Sequence, residues 1–332
     1  MTAAHSTRPS ALAWCLLVLL GFLWGGSFFF GRIAVLEIPP FTLVFLRLGL
    51  AALALHIYLR GRHGLYRTLA ERYREFILMG FINNALPHTL IFFGQTEIGA
   101  GLASILNATT PIWTVIIANH FTADEKLSTA KLAGCLTGLL GTAILIGPSL
   151  SSSASIPLWA LILPIGAAIS YGFAGTYGKR FRGLAAPVTA TGQLTASSLM
   201  MLPAALFYDQ PWSLPVPSTE AIAAVIILAL LSTAFAYLIF FRILALAGAT
   251  NASLVTLLVP PSAILLGALF LHERLGWTDF AGMGVIALGL LMLDGQNLCL
   301  ANASGLISAH AGQQTLTIRQ DFSPAPRKIK SF

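Results

Sequence analysis

The sequence predicts an all-α polytopic membrane protein of ten transmembrane helices, arranged as two inverted five-helix repeats. Three observations predict it. The composition cannot cover a soluble surface, long apolar stretches alternate with basic connections, and a set of landmarks recurs after about 149 residues.

Of 332 residues, 56% are hydrophobic and only 9% charged, with a mean hydropathy of +0.81. Soluble domains carry about 25% charged residues. A run of about 20 apolar residues spans the hydrocarbon core as a helix. The spans read, in order, 11–36, 40–59, 75–95, 98–121, 129–147, 157–178, 187–207, 220–243, 249–271 and 277–294. The first is too long for a signal-peptide core and lacks a small-residue cleavage site, so it is expected to stay in the protein. Residues 1–10 form a short N-terminus. Residues 295–332 lose apolar periodicity and end in SPAPRKIKSF, which reads as a disordered tail.

Charge tests the count of ten. Cytoplasmic connections collect Lys and Arg. With the N-terminus inside, the inner segments hold Arg8, the five arginines of 60–74, Lys126, Lys131, Lys179, Arg180, Arg182, Arg242, Arg319, Arg327, Lys328 and Lys330, 16 of the 19 basic residues. Arg274 falls outside, and Arg32 and Arg47 lie within spans. One span more or fewer scrambles this partition. Both termini are thus expected in the cytoplasm of a cell (inner) membrane protein. The net charge of +7 is a topology signal and implies no nucleic acid partner. Cys15, Cys135 and Cys299 imply no disulfide framework.

The recurrence defines the repeats. GAGLASILNATTPI (99–112) aligns with GATNASLVTLLVPP (248–261), placing Pro111 on Pro260 and Ser104 on Ser253. Further on, Glu125 and Leu127 meet Glu273 and Leu275, and Gly134 and Gly141 meet Gly282 and Gly289. WGGSFFFGR (24–32) meets YGFAGTYGK (171–179), Gly25 falling on Gly172. The repeats are therefore residues 11–150 and 151–294. Five spans per repeat force the second to insert upside down. That architecture is typical of secondary transporters, with the site near the bilayer midplane between repeats.

WGGSFFFGR, FLRLGLAALAL (45–55), LNATTPIWTVIIANHFTADEKLS (106–128) and LLVPPSAILLGALFLHERL (257–275) also resemble the EamA-like branch of the drug/metabolite transporter superfamily. The resemblance covers about residues 11–294. It implies ten helices, cytoplasmic termini and export of small metabolites, often amino acids or related compounds. Span 3, where a histidine follows a proline, and the long tail depart from the family's usual pattern.

Span 3 contains FINNALPHTLIFF (81–93). Asn84 and His88 are i, i+4 on one helical face, and Pro87 removes the donor that would reach the carbonyl of Asn83. Mid-membrane polar groups mark a pathway by default, although Asn and His also tie helices together. At the 149-residue offset His88 falls on Tyr237 and Asn84 on Thr233, while Trp24 falls on Tyr171. These six residues are the expected substrate-binding set, lining a cavity with stacking faces and single hydrogen bonds; core filler is the alternative for the aromatics. Histidine is the mid-span group that changes charge near neutral pH, so proton coupling through a side chain would involve His88. Pro111 and Pro260 free the carbonyls of Asn107 and Thr256. Paired interruptions in corresponding segments point to a transporter site, so Pro111, Pro260 and Pro87 are expected kinks or hinges.

No Asp or Glu lies mid-span, and Arg47 sits about 10 Å below the outer face at 1.5 Å per residue. It is expected to pair with an outer carboxylate, with contact to the substrate as the alternative. This lining suits a small neutral or zwitterionic metabolite rather than a multiply phosphorylated one. The Gly-rich stretches 134–141 and 282–289 predict close packing of spans 5 and 10, within a monomer or across a homodimer. No HExxH, aspartate-rich or GxSxG pattern is present, so neither an enzyme nor a metal or other cofactor is expected. The partners are the lipid bilayer and a small-molecule solute. A channel or receptor without alternating access is the alternative class.

Overall fold

The structure, a computed structural model, describes residues 11–121, 129–150, 156–240, 242–243, 255–289 and 291–292. The N-terminal ten residues, the 295–332 tail, Glu125, Leu127, Ser253 and Cys299 lie outside the described residues.

Every regular element among the described residues is helical. In chain order these are α1 (Ala11–Val35), α2 (Pro40–Leu59), α3 (Leu65–Glu71), α4 (Tyr73–Gly80), α5 (Leu86–Gln95), α6 (Ala100–Asn107), α7 (Thr110–Phe121), α8 (Thr129–Ile146), α9 (Leu158–Tyr177), α10 (Ala186–Ala204) and α11 (Thr219–Ala229). There follow α12 (236–240), α13 (Val255–Phe270) and α14 (277–289). Among the described residues six continuous stretches are long and apolar enough to cross a membrane: Leu12–Val35, Pro40–Leu59, Tyr73–Gln95, Ala100–Phe121, Leu158–Phe181 and Thr219–Phe240. Lys131–Ile146 and Leu258–Phe270 are shorter apolar helices. Leu53, Ile57, Leu136, Leu140, Leu199 and Leu288 are all more than half exposed. Such a surface would aggregate in water and meets lipid in a bilayer. The chain is a polytopic membrane protein.

Small residues set which helices touch. On α1, a Cβ at Gly25 would stand 2.5 Å from Ser262 Cβ and 2.9 Å from the Val259 carbonyl oxygen and Ala263 N of α13. On α9, a Cβ at Gly172 would stand 3.1 Å from Thr114 N and Trp113 C of α7. The Gly-rich helices α8 and α14 meet backbone to backbone: a Cβ at Gly141 would lie 2.7 Å from Ile286 N and 2.8 Å from the Gly282 carbonyl oxygen. Their small-residue faces are used against each other inside one chain.

Helix ends are tied by polar side chains from distant spans. Arg32 of α1 donates to the carbonyl oxygens of Gln95 and, at 2.9 Å, Thr96, at the end of α5. The Glu273 carboxylate accepts from Ala100 N (2.7 Å) and Gly101 N (3.1 Å), capping α6; anions are favoured at a helix N-terminus. Beyond α1, the Glu37 carboxylate accepts from Ser218 N (2.6 Å) and Ser218 Oγ (2.7 Å). Those donors hold its carboxyl below the usual carboxylate range.

Candidate functional site

In lipid a backbone polar group must find its partner inside the protein. The stretch FINNALPHTLIFF meets that demand through a change of helix type. Between α4 and α5, Phe81–Ala85 forms a π-helical turn, in which the Leu86 N–H bonds back five residues to the Phe81 carbonyl. π-turns of this kind are frequent at functional sites. In that register the next donor, at position 87, would reach Ile82, and proline has none. Ser170 of α9 supplies it, its Oγ donating to the Ile82 carbonyl at 2.6 Å. The freed acceptor is thus Ile82 rather than Asn83, because the π-register reaches one residue further back than the α-register assumed from sequence.

A π-turn at Ala205–Asp209 ends α10, and the second π-turn with helix on both sides, Leu230–Phe235, lies between α11 and α12, with the Ala236 N–H bonded to the Leu231 carbonyl. Thr233 Oγ1 donates to the Leu228 carbonyl at 2.8 Å. Span 4 is interrupted differently. Helix α6 ends at Asn107, residues 108–109 turn, and Pro111 is the second residue of α7. The Asn107 carbonyl, which Pro111 leaves without an amide donor, accepts instead from Thr110 Oγ1 at 2.7 Å. Its expected counterpart behaves otherwise: Pro260 and Pro261 lie inside α13, which runs through them without a break. The φ that proline fixes is itself helical, so only amide donors are lost.

These irregularities surround a cavity of about 290 Å³, near the lower end of the roughly 300–1,000 Å³ of small-molecule pockets. Trp24, Ser27 and Phe28 enter from α1 and Arg47 from α2. Span 3 gives Asn83, His88, Ile91 and Phe92; span 4 gives Ser104, Asn107, Ala108 and Thr110. Tyr171 comes from α9, Ser232, Thr233, Tyr237 and Phe240 from the second π-turn and α12, and Thr256 and Val259 from α13. Trp24 lies against Phe240 with ring centroids 5.5 Å apart. His88 meets Tyr171 edge-on at 6.5 Å.

Five of the six expected binding residues, Trp24, His88, Tyr171, Thr233 and Tyr237, share this wall. Asn84 does not border it. It is fully buried, donating from Nδ2 to Gln193 Oε1 of α10 (3.3 Å) and accepting from the Tyr237 hydroxyl at Oδ1 (3.2 Å). The π-turn is the reason, since it rotates Asn84 off the face that an unbroken helix would share with His88. Asn83 takes the exposed place, lining the cavity while donating to Gln193 Oε1 at 2.8 Å. Pro87, Pro111 and Pro260 shape the surrounding helices without bordering the cavity.

Arg47 departs furthest from expectation. It is 6% exposed, yet the ion pairs among the described residues are Arg67–Glu71 and Arg72–Glu75. Instead of meeting an outer carboxylate, Arg47 Nε donates to Thr233 Oγ1 at 3.0 Å, and its Cζ stands 5.7 Å from the Phe92 ring centroid. Glu37 and Glu273 are engaged elsewhere, Glu37 on Ser218 and Glu273 on α6. Among the described residues four buried side-chain atoms have no hydrogen-bond partner, Thr42 Oγ1, His88 Nδ1, Gln95 Oε1 and Asn107 Oδ1, and of these His88 and Asn107 belong to the cavity wall. Gln193, which holds both asparagines, escaped the sequence reading, although any amide side chain inside a span signals such a network.

Similarity to known proteins agrees with this architecture. Residues 11–147 and, separately, 158–293 match the EamA-like transporter family. The chain is 25% identical over 281 residues to the uncharacterized transporter YoaV of Bacillus subtilis, covering 83% of this chain and 94% of that protein. It is 27% identical over 289 residues to the uncharacterized inner membrane transporter YedA of Escherichia coli, covering 83% and 89%. A crystal structure sharing 17% identity superposes with a TM-score of 0.61 over 86% of this chain and 98% of its own, a likeness of fold. With matches spanning both halves, the chain belongs to the EamA-like transporter family.

Proposed function

We propose that this membrane transporter is a secondary carrier that exports a small neutral or zwitterionic metabolite, such as an amino acid or related compound, by alternating access. The carrying observation is the cavity: set among helices of both halves, lined by aromatic rings and a few polar groups, and edged by a π-turn from each half. In this reading Trp24, Tyr171 and Tyr237 present ring faces to the solute, Tyr171 adds a hydroxyl tip, and His88 and Thr233 hydrogen-bond it. Asn84 acts through Tyr237, whose hydroxyl it receives. Pro111 is the hinge of the broken span, and Pro87 and Pro260 soften theirs.

Ten spans in two inverted repeats, residues 11–150 and 151–294, are the frame of this proposal. Several features support it. The family matches twice, once per half. The π-turn at 81–85 recurs at 230–235, and the left-handed helix end at Arg60 (φ 47°) recurs at Gln210 (φ 48°). Gly25 packs on Ser262 and Ala263 as Gly172 packs on Trp113 and Thr114, six residues paired by the 147- and 149-residue offsets. A swap of halves therefore carries one helix contact into the other, as rocking about a central site requires. Both termini in the cytoplasm follow from the basic residues of 60–74 and 179–182.

The test is flux in proteoliposomes with purified protein and labelled amino acids and related metabolites. Saturable flux that is stimulated by unlabelled solute on the opposite side supports a carrier. Flux linear in concentration, without that stimulation, supports a channel instead.

A further inference from the structure

We propose that Arg47 is the anchor of the solute, and that the solute therefore carries one carboxylate. This rests on the transport reading of the same cavity. A cation inside a membrane protein is costly unless something answers it, and an uncompensated buried charge is more costly still. Arg47 offers five donors in a planar fork. One, Nε, is spent on Thr233, and the guanidinium makes no other hydrogen bond or ion pair among the described residues. It borders the cavity, whose lining contains no Asp, Glu or Lys and no second Arg. The forked face is therefore the complement of a carboxylate's two oxygens.

A purely structural role is answered by the other half of the molecule. Arg47 ties α2 to the second π-turn through Thr233. Gln193 makes the corresponding tie from α10 to the first π-turn, through Asn83 and Asn84, with no charge at all. A neutral amide suffices for joining the helices, so the charge at Arg47 serves something else. Its single occurrence also limits the solute's anion to one charge. The rest of the wall describes the rest of the solute. The Asn107 and His88 side chains bring polar character to the wall, and Phe92, Trp24 and Tyr171 accept an apolar body within about 290 Å³.

The experiment compares matched acids and amides on the full-length protein in nanodiscs: phenylalanine and phenylalaninamide, leucine and leucinamide, 3-phenylpropanoate and 3-phenylpropanamide, lactate and lactamide. Binding is read by thermal shift and competition, and flux by proteoliposome uptake. Loss of a charge-assisted fork predicts that at least one acid binds about 10- to 100-fold more tightly than its amide. Arg47→Gln should erase that preference, and Arg47→Lys should keep part of it. If Arg47→Gln does not fold, the wild-type pairs and the lysine variant decide. Amides binding as well as their acids, an intact preference in Arg47→Gln, or no response to any acid overturns the assignment. Saturable flux of amides, unchanged in Arg47→Gln, overturns it while leaving transport standing. Acid-specific binding without saturable flux of any compound overturns the transport reading and supports the carboxylate site.

Discussion

Replacing Ser170 by Ala isolates the physics of the broken span. Ser170 is 5% exposed, and its hydroxyl donates at 2.6 Å to the Ile82 carbonyl that Pro87 leaves open. The change removes one oxygen and opens almost no volume, so the cost is that of an orphaned buried acceptor, about 1–3 kcal/mol. Interhelical hydrogen bonds in membranes average about 0.6 and reach about 1.7 kcal/mol, which narrows the expectation to about 1–2 kcal/mol. At roughly 2–4 °C per kcal/mol the melting temperature should fall by about 2–8 °C. The discriminating variant is Pro87→Ala, which restores a backbone N–H able to reach Ile82. Melting curves in one detergent for wild type, Ser170→Ala, Pro87→Ala and the double variant form a closed cycle. Ser170→Ala should cost clearly less when Pro87 has been replaced. An equal loss in both backgrounds would refute the link between the proline, the π-turn and the serine.

Three further outcomes are expected. Gly141→Val should destabilise by at least about 1–3 kcal/mol, because its Cβ would meet the backbone of α14 at 2.7 Å, whereas Gly284→Ala, with open space around it, should melt within a degree of wild type; circular-dichroism melts decide. Pro111→Ala and Pro260→Ala should slow transport while leaving melting temperature equal or higher, since each returns a backbone donor; full transport in the double variant removes both from the mechanism. A cysteine placed in the 60–74 connection should label only from the cytoplasmic side, and labelling from outside would overturn the orientation.

Much of this architecture is written in composition and periodicity. Long apolar stretches leave a membrane-spanning helix as their means of satisfying the backbone, so the six long apolar spans among the described residues follow within a few residues. Gly141 and Gly289 announce a close helix contact because nothing larger fits. Trp24, His88, Tyr171, Thr233 and Tyr237, picked out by the sequence offset, line one wall. What stayed hidden depends on local register and on side-chain competition. Asn84 and Asn83 exchange places because a π-turn inserts a fraction of a turn, and no residue pattern separates that from an α-helix. Arg47 misled for a different reason. Whether it meets a carboxylate depends on whether Glu37 and Glu273 are already taken, and Ser218 and the start of α6, both remote in sequence, take them.

The central claim is that solute passes through this one cavity by alternating access, and exchange across the membrane tests it directly. Proteoliposomes loaded with unlabelled solute should take up labelled solute faster than empty ones, with saturation. His88→Leu should abolish that uptake while the protein still melts as wild type does, and His88→Gln, which keeps a hydrogen-bonding group, should retain much of it. Equal uptake by loaded and empty vesicles, or normal exchange in His88→Leu accompanied by a lowered melting temperature, would contradict the account and make His88 an interhelical tie.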